Sequence, residues 1–195
     1  MTSSGDSLRS YLFRGLMFEA EAEEFQRAGI RVGADLTDTE QRLLSDALAP
    51  FGIGTRNNAL EMARLYAVLH CFENEVRVLI RDTLEEHVGA DWWSQIPDRI
   101  QTHASSRQKK AVSNSWLEGE KQDRLSFVDF GHLAKIIIWK WEFFEAIIPS
   151  QAWITQKFDE LEQVRNFVAH NRTLDQGEYQ RIYMYVADWN RQVGL

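Results

Sequence analysis

The side chains best able to do chemistry in this chain stand close together: Arg165, Asn166 and His170, in the run Arg-Asn-Phe-Val-Ala-His. Arginine is a permanent cation whose planar fork matches a phosphate group. Histidine can take or give a proton near neutral pH. The pair suffices for RNA cleavage without a metal, because RNA carries its own nucleophile. A histidine takes the proton of the 2′-hydroxyl or protonates the leaving 5′-oxygen. An arginine holds the charge that builds on the phosphorus oxygens. The same residues also have an ordinary reading, in which Arg165 makes a surface ion pair and His170 caps a helix C-terminus near Asn171.

On a helix Asn166 and His170 share a stripe, and Arg165 lies roughly 140° round the axis from His170. One copy of the chain therefore directs the two groups to different sides. This predicts a twofold dimer that buries the last two helices and completes the site. Spacing alone is a weak signal, since Arg64…His70 and Arg81…His87 are looser versions of it. Replacing His70 or His87 is expected to leave activity unchanged. What sets Arg165–His170 apart is the adjacent Asn166 and its place in the helix before the last.

Glu73 and Arg77 lie four apart on a long helix. They read either as a clamp that orients Arg165 or His170, or as an ordinary helix ion pair. Arg107, Lys109, Lys110 and Arg172 are cations available to an RNA backbone, although so short a basic run also suits a solvated helix face. The seven Trp suit core or interface anchors better than base-stacking platforms, because few basic residues interleave with them. Asp129-Phe130-Gly131-His132 resembles a kinase DFG segment, but no glycine-rich loop or kinase catalytic loop accompanies it. No Cys/His or carboxylate cluster has metal-site spacing, so neither a metal nor another cofactor is expected, and chelation should spare cleavage.

The elements that position these groups read as helices. Apolar residues recur at helical intervals over Leu8–Ala28 and over about Asn57–His87, which Gly89 ends. Thr37 with Glu40 forms a capping box for a short helix through Ala49. Pro50, Gly52 and Gly54 break the chain. A weaker helical stretch covers Trp92–Trp116 around Pro97. Asp129 is placed to cap a helix from Gly131 to Ile148. Pro149 and Ser150 start the helix that carries Arg165 and His170, and Asp175 with Glu178 opens the last helix. This predicts an all-α protein with an N-terminal helical extension, residues 1–54, and a helical domain, residues 55–195.

The 195 residues carry a net charge of −7, so contact with nucleic acid must be local. The single cysteine, Cys71, excludes an internal disulfide and suits a reducing cytoplasm. The most apolar run, Ile136–Ile148, contains Lys140, Glu142 and Glu145 and is too short and charged to span a bilayer, so no membrane role is expected.

Several segments, taken in order, resemble the HEPN superfamily. They are Cys71–Ile80 (CFENEVRVLI), Gly89–Pro97 (GADWWSQIP), Leu125–Ile137 (LSFVDFGHLAKII), Arg165–Leu174 (RNFVAHNRTL) and Val186–Gly194 (VADWNRQVG). They are most similar to the subclass found as an appendage of a nuclear mRNA-surveillance endonuclease. The resemblance covers about Met62 to Val193. It implies a bundle of four to five core helices and a homodimer with two motif helices facing across one cleft. Arg165 and His170 match the family's catalytic pair, and Asn166 its polar neighbour. Many relatives are metal-independent endoribonucleases of toxin–antitoxin or antiviral-defence systems, which implies RNA as partner and a cognate antitoxin or other protein. Others are inactive modules that bind RNA or a partner protein. Toxins silenced by nucleotide transfer carry a Tyr two residues after the His, where this chain has Arg172.

Overall fold

The computed structural model describes Arg42, residues 46–113 and residues 123–193. Apart from Arg42 and residues 46–49, the helices expected over 8–28 and 37–49 lie outside the described residues. The chain divides into two units, Met1–Asn57 and Asn58–Leu195; the first described helix begins in the first unit, and the core and site described below lie in the second. Five α-helices are described: α1 (Ile53–Val88), α2 (Asp98–Ser113), α3 (Phe130–Trp139), α4 (Gln151–Ala169) and α5 (Gln176–Val193). Short 3-10 turns lie at Trp92–Gln95, Arg124–Phe127 and Trp141–Phe143. No strand occurs among the described residues, and the architecture is the all-α bundle that the sequence predicts. No described helix is long and apolar enough to cross a membrane.

The spine is α1, which buries Leu65, Leu69, Phe72, Val76, Ile80 and Leu84 at steps of three or four residues. That interval keeps every one of them on a single stripe. Gly89 ends the helix with φ 98°, a conformation that costs glycine nothing. Pro97 stands immediately before α2, where its missing N–H leaves nothing unpaired, and its carbonyl takes the Ile100 N–H at 2.8 Å.

Ser150 caps α4 by accepting the Trp153 N–H. From α4, Ile154, Phe158, Leu161 and Val164 meet the α1 stripe in the common core. Phe72 is the hub of that core. Its ring stacks on Phe130 of α3 and meets Phe158 of α4 and Trp189 of α5 edge to face, all with centroids under 6 Å apart. Trp92 and Trp189 are buried, and Trp93, Trp139, Trp141 and Trp153 pack partly buried on the core. The described tryptophans are thus structural anchors.

Two expectations about α3 need correction. The helix does not run to Ile148 but gives way at Lys140, whose φ −122° and ψ 45° are not helical. Aromatics at 139, 141, 143 and 144 cannot share one helical stripe. The break lets Phe144 bury completely while Lys140 covers the rings of Trp139 and Phe143. Asp129 does occupy the N-cap position, yet its side chain makes no capping bond. Glu162 reaches across from α4 and accepts the Gly131 N–H at 2.7 Å instead. A Cβ at residue 131 would stand 2.8 Å from that carboxylate oxygen, so glycine permits the close approach.

Candidate functional site

Arg165 sits on the half-buried face of α4, beside the buried Val164 and Val168. Its side chain lines a cavity of about 390 Å³ between α4, α1 and the segment before α3. Its Nε is buried and has no hydrogen-bond partner among the described residues. A buried guanidinium nitrogen without an acceptor is costly, and the fork beyond it is the group that matches an anion.

The opposite wall is a polar stripe of α1. Tyr66, His70, Glu73, Asn74 and Arg77 all face the cavity, at the intervals that put residues on one side of a helix. Arg77 is fully engaged there. It pairs with Glu73 at 2.5 Å, bonds the Asn74 side chain, and donates to the carbonyls of Leu125 and Val128. Glu73 and Arg77 therefore do more than an exposed helix pair. They fix the 125–128 segment that forms the cavity floor, while Arg77's hydrogen bonds go to that segment and not to Arg165.

Arg107 reaches the cavity from α2, with Nη1 at 3.4 Å from Asp129 and 3.5 Å from the Phe127 carbonyl. Half of its side chain remains exposed. Three guanidinium groups against two carboxylates, Glu73 and the adjacent Asp129, leave this pocket locally positive within an acidic chain. That is the charge pattern a phosphodiester needs for local contact.

The rest of the signature lies elsewhere. His170 is the C-cap residue of α4 and is exposed, and it does not line the cavity. The helix ends there because Asn171 turns into the left-handed region, φ 57°. The Asn171 N–H then bonds the Val168 carbonyl and the Arg172 N–H bonds the Phe167 carbonyl, the paired closure of a Schellman motif. Asn166 is exposed, and its carbonyl takes the His170 N–H at 3.1 Å. Arg172 is exposed with its guanidinium 5.4 Å from the Phe167 ring centre. Lys109 and Lys110 are exposed on α2 outside the cavity wall.

The two looser matches part company. His87 is structural, stacked on Phe143 at 4.6 Å and bonded to the Thr83 carbonyl. His70 stands in the cavity wall, stacked on Tyr66, with Nε2 at 3.3 Å from the Asn74 amide. Sequence reasoning set His70 aside as a spacing match to Arg64. The signal that finds it is the polar stripe His70–Glu73–Asn74–Arg77.

Compared with known proteins, residues 67–194, about two thirds of the chain, match the family model described as Swt1-like HEPN. No curated protein and no solved structure matches the chain.

Proposed function

On the premise that the chain belongs to the Swt1-like HEPN family, we propose that it is a metal-independent endoribonuclease whose site is completed by a second copy of itself. The observation that carries this reading is Arg165, which lines a pocket rich in guanidinium groups and has a buried Nε without a hydrogen-bond partner among the described residues. The pocket holds the phosphodiester, with Arg165 and Arg107 on its non-bridging oxygens. The 2′-hydroxyl attacks the adjacent phosphorus, the bond to the 5′-oxygen breaks, and a 2′,3′-cyclic phosphate and a 5′-hydroxyl result. His170 moves the proton, as acceptor from the 2′-hydroxyl or donor to the leaving oxygen. Because His170 lies at the exposed end of α4, away from the pocket of its own chain, the imidazole that serves one pocket comes from a second copy. A role in toxin–antitoxin or antiviral defence, with a cognate antitoxin or other partner protein, belongs to the same reading.

One observation favours a non-catalytic module that binds RNA or a partner protein. His170 is a solvent-exposed helix cap with no contact to the Arg165 pocket. Cleavage of labelled single-stranded RNA separates the two readings. His170→Ala should stay folded by circular dichroism and lose about two to four orders of magnitude in rate. Arg165→Ala should lose activity as well, and Arg165→Lys should restore little, because a point charge cannot copy a bidentate fork. Full activity in folded His170→Ala sinks the catalytic reading. An inactive wild type that binds RNA through Arg165 supports the binding module.

A further inference from the structure

We propose that His103, Asp129 and His132 form a binding site for one divalent transition-metal ion of the zinc class, where α2 meets the start of α3. Each of the three offers a ligand atom, and these atoms lie within 4.8 Å of one another. His103 stands 26 and 29 positions before Asp129 and His132, so only the fold brings it to that pair. The imidazoles of His103 and His132 face each other with ring centres 4.6 Å apart. Asp129 Oδ1 lies 2.7 Å from His132 Nδ1.

Three observations point to a ligand. First, the Nδ1 atoms of both histidines are buried, and that of His103 makes no hydrogen bond. His132 Nδ1 pairs with the Asp129 carboxylate. Buried ring nitrogens are normally satisfied, and the unpaired Nδ1 of His103 requires a cause. Second, Asp129 stands at a helix N-cap and does not cap. Glu162 serves Gly131 in its place, which leaves the Asp129 carboxylate to the two histidines and Arg107. Third, the side chains of Asp129 and His132 are only 15% and 16% exposed, so the ligand atoms meet in a mostly enclosed place.

The donor set selects the ion. Two imidazoles and one carboxylate suit Zn²⁺, Co²⁺ or Ni²⁺, whereas Mg²⁺ and Ca²⁺ prefer all-oxygen shells. Bonds of about 2.0–2.2 Å at tetrahedral angles put ligand atoms roughly 3.3 Å apart. The ligand atoms need only side-chain adjustment to reach that spacing. Asp129 divides its labour. Oδ1 faces His132 and takes the ion, while Oδ2 faces Arg107 at 3.4 Å. The ion thus ties α2 to α3 and, through Asp129, steadies Arg107 at the rim of the Arg165 cavity. It takes no part in bond breaking, and the proposal stands whether or not the chain cleaves RNA.

The test uses the full chain stripped of metal with a chelator. Added Co²⁺ should give the visible absorption of a nitrogen- and oxygen-ligated ion, saturating at one per chain. Zn²⁺ should displace it and raise the melting temperature, and Mg²⁺ should do neither. His103→Gln and Asp129→Asn, each checked by circular dichroism, should weaken Zn²⁺ binding by about a hundredfold or more, and Cys71→Ser should not. If one ligand variant misfolds, the other and His132→Gln carry the comparison. Absence of Co²⁺ absorption in the wild type overturns the proposal. So does unchanged Zn²⁺ affinity in any folded ligand variant.

Discussion

Arg77 shows how much of the site depends on a residue with no chemistry of its own. Its guanidinium holds one carboxylate, one amide and two backbone carbonyls, and its side chain is 12% exposed. Arg77→Ala leaves the half-buried Glu73 without its counter-charge and two carbonyls without donors, so it should cost about 1–3 kcal/mol in urea unfolding. Arg77→Lys should recover only part of that, since one ammonium cannot span those acceptors. The histidines give a second comparison. His87→Ala should lower stability through its lost stack on Phe143 and leave RNA binding alone. His70→Ala should do the reverse, weakening RNA affinity at unchanged stability, as read by fluorescence anisotropy and thermal unfolding. Equal RNA affinity in both variants would remove His70 from the pocket's function. Arg165 and His170 stand out as candidates in the sequence because residue type and order carry the motif. Their separation into pocket and helix end was not legible, because it depends on the turn at Asn171. The His103–Asp129–His132 group was invisible for a related reason, since long-range proximity leaves no spacing to read.

At the scale of elements, periodicity located the helices well and their interruptions poorly. The α1 stripe, the Ser150 cap and the Gly89 stop follow from local rules, and the structure has each of them. The break of α3 at Lys140 comes from competition among aromatics for burial, a tertiary effect. The cap of α3 is likewise tertiary. Glu162→Ala should remove the acceptor of the Gly131 N–H and cost about 1 kcal/mol, whereas Asp129→Ala should leave that cap intact. Another cross-helix contact joins α4 to α5, where the Tyr185 hydroxyl donates to Glu160 Oε2. That bond, then one from Gln156, holds the Glu160 carboxyl below its ordinary value of 4.5, with Arg181 and Lys157 adding and burial opposing. A carboxyl lowered by folding stabilises the fold above its unfolded value and loses that contribution as pH falls through the folded value. Stability should therefore drop on acidification below about pH 4.5. Tyr185→Phe removes the largest cause, so its stability should fall less steeply over the same range in urea titrations. An identical acid slope in the variant would mean that Tyr185 does not set the carboxyl's affinity for protons.

At the scale of the whole molecule, the question is what brings an imidazole to the Arg165 pocket. Within one chain α4 carries Arg165 into the cavity and His170 out to its tip, so the proposed chemistry requires two copies. The last helix supplies a surface suited to that encounter. Tyr183 and Met184 on α5 are 43% and 59% exposed, although most large apolar side chains of this helix pack on the core. Adjacent exposed apolar residues on the outer face of this helix suit a contact with another copy. Light scattering at tens of micromolar, a concentration suited to micromolar affinity, should give the mass of a dimer. Met184→Asp should shift it toward monomer, because a charge placed in an apolar contact loses its water without gaining a partner. The shift should carry RNA cleavage down with it while circular dichroism stays unchanged. Mixing tests the geometry directly. Arg165→Ala and His170→Ala are each inactive alone, but a mixed dimer keeps one pocket with an intact Arg165 and an intact His170 from the other copy. Activity recovered on mixing to about a quarter of wild type, the share expected if half of the dimers are mixed and each has one working site of two, supports a shared site. A monomer that cleaves RNA, or mixing that restores nothing while mixed dimers form, removes the second copy from the mechanism.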